Sequence, residues 1–300
     1  MEIVSAEIQE TKVIGVREKL TAFFELTKPR IAFMLVLTSA AGFYLGTRTG
    51  FDVILFINSM LGITFLAFGV AALNQFWERK TDLLMERTAK RPLPTQKISP
   101  TEALIFGSLL CAIAEIHLFL FVNGLTAFLG LVVIVGYVLL YTPLKTRTSA
   151  STAIGALPGA MPPLMGWTAS ADQITLGAWA LFALLFLWQF PHFLAIAWMY
   201  RDQYAKAGIK MLPVVEPEGV ITARQIVLFT VLLLPVSLAP FFLGMAGVVY
   251  LIGASILGIW FLLTSIRAAR AKSIPQARKL LLFSVLYLPL IFALMVFNHF

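Results

Sequence analysis

Apolar residues in this chain come in long blocks rather than in alternation. The blocks fall at about 30–47, 52–76, 102–122, 124–142, 152–169, 174–198, 222–244, 247–265 and 280–298, each bounded by charges or by Gly and Pro clusters. Blocks of roughly 17–25 apolar residues match the thickness of a bilayer's hydrocarbon core. The pattern predicts an all-α polytopic membrane protein with nine transmembrane helices. The fifth block is interrupted by Gly155, Pro158, Gly159, Pro162, Pro163 and Gly166. A helix so broken is tolerated in lipid only where protein or a cavity re-satisfies its backbone, so this one is expected to border a binding chamber. Ahead of the blocks, Val13, Val16, Leu20, Phe23 and Phe24 are spaced for one face of an interfacial helix within a segment 1–29, with a partly disordered tail as the alternative. Residues 30–300 then form one intramembrane domain.

Composition turns this pattern into a location for chemistry. The chain has 300 residues, 59% hydrophobic and 13% charged, with mean hydropathy +0.88. Nine spans of roughly 20 residues would use about 180 of them, leaving no room for a soluble catalytic domain. Reactive groups must therefore sit on the helices and their connections. Cys111 is the only cysteine and lies inside an apolar run, so neither a disulfide framework nor a cysteine metal site is expected. Glu2, Glu7, Glu10, Glu18 and Glu25 with no apolar stretch before residue 31 argue against a cleavable signal peptide, making the first span the insertion signal.

The net charge of +8 could suggest nucleic acid, but its distribution says otherwise. Of the 23 Lys and Arg residues, 22 lie in alternate connections. This is the signature of the positive-inside rule. It predicts a cytoplasmic N-terminus and an external C-terminus, agrees with an odd number of spans, and leaves the lipid bilayer as the only partner the charge requires. Two connections on the basic side are long, 77–101 and 199–221, and long loops concentrate function. They follow the second and sixth spans, which suggests a four-helix unit occurring twice with the ninth helix left over.

Several polar residues are not explained by the membrane. Asn74, Glu78 and Asp82 stand four apart at the end of the second span, on one helix face within about 80°. Oxygen ligands so placed suit Mg²⁺ shared with substrate phosphates, since this ion takes only one or two carboxylates from protein; an ordinary helix end with solvated charges is the alternative. Arg87 and Arg91 follow, then Pro92 and Pro94, which end any helix. Guanidinium groups match phosphate oxygens through paired hydrogen bonds. On the second long loop stand Arg201, Asp202 and Tyr204, with Asp202 on the same membrane side as the first acidic cluster. Two acidic sites there could grip one polyanion through two Mg²⁺ ions. Lys145 lies in a short turn between them. His192, beside Pro191, is read either as a ligand contact, including haem iron, or as a hydrogen-bonded core residue. Glu115 and His117 are ionisable groups at membrane depth, two apart and so pointing in different directions.

Taken together, these residues resemble the UbiA-type intramembrane prenyltransferases, and among them the branch acting on protohaem IX. The resemblance rests on Leu26-Thr27-Lys28-Pro29-Arg30; on Asn74, Glu78 and Asp82 running into Met85-Glu86-Arg87-Thr88 and Arg91-Pro92-Leu93; on Tyr141-Thr142-Pro143-Leu144-Lys145; on Gly159-Ala160 with Pro162-Pro163 and Gly166-Trp167; on Pro191-His192-Phe193; and on Tyr204 through Pro213. It covers residues 25–215 in specific motifs. It implies nine helices around a central, lipid-open cavity, with Mg²⁺-bound farnesyl diphosphate at the cytoplasmic mouth. Asn74, Glu78, Asp82 and Asp202 would bind the metal and carry catalysis. Arg87, Arg91, Lys145, Arg201, Tyr204 and His192 would contact substrate. The implied reaction joins the farnesyl group to a vinyl group of haem B (protohaem IX), giving haem O, with a haem A synthase downstream as a partner. Three positions depart from the family's pattern: Glu78 where Asp is usual, Gln203 where an acid commonly precedes the tyrosine, and Ser151 where Asn is frequent. Two other readings are carried alongside: an aromatic, quinone-precursor acceptor at the same site, and a transporter of an anionic lipid or metabolite.

Overall fold

A computed structural model describes residues 15–48 and 50–299 of the chain. A short amphipathic helix, α1 (Val16–Leu26), precedes α2 (Pro29–Gly46), α3 (Val53–Asp82), α4 (Pro100–Phe121) and α5 (Gly124–Ile134). The last of these continues as a π-helical stretch, Val135–Tyr141, into the single turn α6 (Thr142–Leu144). The fifth span is two helices, α7 (Ser151–Gly159) and α8 (Met161–Ala171). Then come α9 (Leu176–Met199), the short α10 (Arg201–Lys206) and α11 (Leu212–Val215), and the long α12 (Val220–Phe242), α13 (Val248–Ala271) and α14 (Ile274–Phe297).

Eight of these stretches are long and apolar enough to cross a membrane, α5 through α6 counting as one. The split pair α7–α8 fills the place of the remaining expected span. Among the described residues the nine predicted spans thus appear in order, the fifth broken at Ala160 between Pro158 and Pro162. Gln189 on α9 donates to the Ala156 carbonyl at 3.2 Å, so protein meets the backbone beside the break.

The chain writes its own helix boundaries. Asp52 caps α3 by accepting from the Leu55 amide at 2.9 Å. Ser99 and Glu102 form a reciprocal capping box at α4, with Pro100 in the first turn. Asn123 caps α5 and also donates to Thr168 O on α8 at 2.8 Å. Packing then closes a ring: α3 pairs with α4, α12 with α9 and α13, and α14 with α13, α9 and α2. Inside it, α8 is buried from Pro162 through Ala169. It lies so close to α2 that a Cβ on Gly166 would sit 1.9 Å from Ser39 O. Small residues allow such backbone contact in membranes. The outer surface stays apolar, as on α4 with Ile113, Ile116, Phe119 and Leu120. That surface and the eight long apolar helices make the chain an integral, multi-pass membrane protein.

At 30 residues, α3 is about 45 Å long at 1.5 Å per residue, well beyond the roughly 30 Å hydrocarbon core. Its last turns therefore stand clear of the apolar slab, and Asn74, Glu78 and Asp82 are on them. The predicted end of this span, near residue 76, falls short because the polar turns Glu78–Asp82 continue the helix against protein instead of lipid. Two buried clusters organise this end of the bundle. Leu93, Ile98, Ala72 and Ala103 join Ala22 and Leu26 of α1, while Met85 meets Ala197, Ala207, Ile209 and Met211. The two long loops are thus packed on each other rather than loose.

The predicted single face of α1 is corrected in detail. Val16, Leu20 and Phe24 are exposed together, but Phe23 turns inward against Phe106, ring centroids 4.9 Å apart, where α4 offers an aromatic partner. Val13 and the rest of residues 1–14 of the expected interfacial segment 1–29 lie outside the described residues.

Candidate active site

The polar face at the end of α3 is the centre of the site. Asn74 and Asp82 are each 1% exposed. Each of the three predicted side chains meets a cation from a different part of the chain. Lys28, at the start of α2, donates to Asn74 Oδ1 at 2.7 Å. Lys145, after α6, donates to Glu78 Oε1 at 2.5 Å. Arg91 donates through one nitrogen to both Asp82 oxygens, at 2.9 and 2.7 Å, and lies 3.7 Å from Glu78 Oε2. Three basic side chains, Lys28, Lys145 and Arg91, face two carboxylates at this largely buried place. Such a site is built for an anion.

Electrostatics follow the geometry. Burial and then the nearby Arg91 charge lower the Lys28 ammonium to about 7; an anion beside it would restore its proton. For Lys145, burial pulls the other way from Glu78, and Glu78 wins, holding the ammonium well above its ordinary value. Lys145 Nζ also lies 4.3 Å from the centroid of Tyr141. The Tyr141 and Tyr137 rings stand edge to face at 4.8 Å. The Tyr141 ring is seated by Gly155, where any Cβ would come within 2.5 Å of it. A cleft of about 230 Å³ opens beside the Glu78–Lys145 pair, lined by Trp77, Thr81, Thr142 and Arg147 among others.

Not every predicted residue arrives here. Asp202 is 87% exposed and, among the described residues, its carboxylate is paired with Arg201 alone, at 3.6 Å. Helix α10 turns Tyr204 and Ala207 inward to the Met85 cluster, and a residue two positions from Tyr204 on a helix faces the opposite way. The expected second metal ligand, Asp202, is therefore directed away from the carboxylates in this structure, and the expected phosphate contact, Arg201, is part-exposed beside it. Among the described residues no three carboxylate, histidine or cysteine side chains converge as a metal cluster. Arg87 and Tyr204 do meet: Arg87 donates to Tyr204 Oη at 2.9 Å, stacks over the Tyr200 ring at 4.6 Å, and its amide donates to Gln203 Oε1 at 3.3 Å. Gln203, a departure from the family pattern, thus ties one long loop to the other. His192 sits on the α9–α14 seam, its Nδ1 2.8 Å from Ser284 Oγ and its ring stacked on Trp188 at 4.6 Å. That is the core-histidine alternative in geometric form. His117 is engaged with Asn58 O at 3.1 Å, and Glu115 lies against Gly130.

The comparisons with known proteins bear on this arrangement. The model of the UbiA prenyltransferase family matches residues 35–296. The chain belongs to the UbiA prenyltransferase family. Within this family it is 47% identical over 286 residues to the protoheme IX farnesyltransferase of Solibacter usitatus, covering 92% of this chain and 98% of that one. To the protoheme IX farnesyltransferase of Koribacter versatilis it is 44% identical, covering 95% of each. The fold is that of solved UbiA structures. A digeranylgeranylglyceryl phosphate synthase superposes with TM-score 0.79 at 18% identity, covering 94% of this chain and 98% of that one. A UbiA homologue from Archaeoglobus fulgidus bound to GPP and Mg²⁺ does so with TM-score 0.66 at 18% identity, covering 91% and 99%.

Lys28 and Thr142 lie within the motifs that carry the resemblance but are not among the site residues the sequence predicts. For Lys28 the local signal was a lysine set directly before the Pro29 that opens a span. Its backbone is left-handed, φ 49°, which turns the chain sharply enough to bring the ammonium back over α3.

Proposed function

We propose that this UbiA family member transfers the farnesyl group of farnesyl diphosphate to a vinyl group of haem B, giving haem O. The observation that carries the reading is the face of α3 on which Asn74, Glu78 and Asp82 are each met by a cation that can exchange its carboxylate or amide partner for a phosphate oxygen. The kinship with protoheme IX farnesyltransferases over nearly the whole chain supports haem as the acceptor. The distribution of Lys and Arg supports a site at the cytoplasmic face, an N-terminus on that side and a C-terminus outside.

The donor set fits Mg²⁺: one amide oxygen and two carboxylates on a single helix face, hard ligands of the kind this ion accepts beside substrate phosphates. Asn74, Glu78 and Asp82 would hold it, and when bound it would offset charge building on the departing diphosphate. The chain's own residues do the remainder. Lys145, Arg91 and Lys28 draw the diphosphate oxygens to the end of α3 and stabilise them as the C1–O bond breaks, its electron pair leaving with diphosphate. Tyr137, Tyr141 and the surrounding apolar walls keep bulk water from the allylic C1 while it carries positive character. The vinyl π pair then forms the new carbon–carbon bond to C1. Water adds to the resulting cation next to the pyrrole ring and loses a proton, leaving a hydroxyethylfarnesyl substituent.

The test is diphosphate release by purified protein supplied with farnesyl diphosphate, haem B and Mg²⁺. Asp82→Ala should abolish it with the fold retained. Unchanged turnover in that variant would remove α3 from the mechanism.

A further inference from the structure

Asn74 can serve a cation only if its amide presents oxygen, and not nitrogen, to the site. What fixes that choice is a buried relay running from α3 to the π-helical end of α5. Asn74 Nδ2 donates to Thr142 Oγ1 at 3.1 Å, and Thr142 Oγ1 donates to Tyr137 O at 2.7 Å. Thr142 is 5% exposed and Asn74 1%. The directions are dictated by chemistry. A carbonyl can only accept, so the hydroxyl proton goes to Tyr137 O, and the oxygen of Thr142 is left to accept from the amide. At the other end, the Lys28 ammonium can only donate, and it claims Oδ1.

The π-helix is what brings these groups together. In an α-helix Thr142 would pair with residue 138; here its amide donates to Tyr137 O, five residues back. This extra residue per turn rotates Thr142 relative to an α-helical register and sets its hydroxyl over the Tyr137 carbonyl, facing α3. π-helical turns of this kind recur at functional sites.

Resting on the proposed function, we infer that Thr142 is a positioning residue that holds the Asn74 amide with its oxygen toward the metal and diphosphate, and that the π-helical turn exists to place it. Thr142 touches neither substrate nor metal in this scheme. It acts through Asn74, as hydrogen-bonded partners of metal ligands do, where losses of about 10–100-fold in metal affinity are typical.

The test uses full-length protein in detergent and Mn²⁺ as a paramagnetic stand-in, titrated with inorganic diphosphate present and followed by electron paramagnetic resonance. Thr142→Val keeps the shape and removes the hydroxyl. It should weaken Mn²⁺ binding by about 10–100-fold, with the KM for haem unchanged, and Thr142→Ser should restore binding to within about threefold. In an Asn74→Ala background, Thr142→Val should add no further loss. Equal Mn²⁺ affinity in wild type and a folded Thr142→Val would overturn the inference, as would an undiminished loss in the Asn74→Ala background. If Thr142→Val does not fold, the Ser variant and its titration decide: weak Mn²⁺ binding despite its hydroxyl contradicts the relay. Wild-type protein that binds Mn²⁺ and diphosphate but transfers no farnesyl group would refute the proposed function and leave the relay standing.

Discussion

Breaking the Arg91–Asp82 pair should separate stability from catalysis. Asp82 is 1% exposed and takes both its hydrogen bonds at 2.9 and 2.7 Å from one guanidinium. Two unit charges about 4 Å apart attract by roughly 4 kcal/mol at an effective dielectric of about 20. The Arg91 side chain is 27% exposed, so solvent takes part of this away, and a coupling of about 2–3 kcal/mol is expected. Arg91→Met strands a buried carboxylate and should be the worst single change, at about 3–5 kcal/mol. Asp82→Asn should cost less, because Arg91 keeps Glu78 at 3.7 Å. The double variant should be clearly more stable than the sum of the singles predicts, while all three release no diphosphate. The assay is a double-mutant cycle by equilibrium unfolding in detergent micelles. Coupling below about 0.5 kcal/mol would refute a charged, paired Asp82.

Gly155→Ala drives a Cβ to 2.5 Å from the Tyr141 ring; overpacking of this kind costs about 1–3 kcal/mol, and turnover should fall at least tenfold, with thermal unfolding and initial rates as the readouts. His192→Leu removes the Ser284 hydrogen bond, for about 1 kcal/mol of stability, and should leave the KM for haem within threefold; loss of haem binding measured by absorbance titration would return His192 to the substrate. Glu216 caps α12: partial burial raises its carboxyl, but hydrogen bonds from the backbone of Val220, Thr222 and Ile221 outweigh this and hold it below the usual range. A carboxylate depressed in the folded state stabilises above its unfolded value of about 4.3, so wild type should exceed Glu216→Gln in stability at pH 7, with the difference vanishing as pH falls through the carboxylate range.

Much of the fold was legible because lipid simplifies the rules. A span must be helical and about 20 residues long, so the blocks, their order and the proline-broken fifth span could be read directly. The face Asn74–Glu78–Asp82 was legible for a similar reason, since spacing of four fixes a face before any packing is known. Other parts depend on neighbours far along the chain. Nothing local announces that α5 widens to a π-helix at Val135, because Gly155 and Pro158 of α7 are what it packs against. Asp202 stands at the right place along the chain, yet its direction is set by Tyr204 and Ala207 sinking into the Met85 cluster. His192 reads equally as ligand or core in the sequence, because Ser284, which its Nδ1 meets, lies 92 residues further along the chain. Lys28 was hidden by its own motif, read as a helix start when its ammonium also reaches Asn74.

If the anion site at the end of α3 serves farnesyl transfer to haem, the product must carry the farnesyl group. Mass spectrometry of haems extracted from the purified protein incubated with farnesyl diphosphate, haem B and Mg²⁺ tests it most directly. Haem B is expected to be converted to a product heavier by one farnesyl group and one added hydroxyl, with no product from Asp82→Ala. Unmodified haem B, with farnesyl found instead on a hydroxybenzoate or naphthoate acceptor in a parallel reaction, would contradict it.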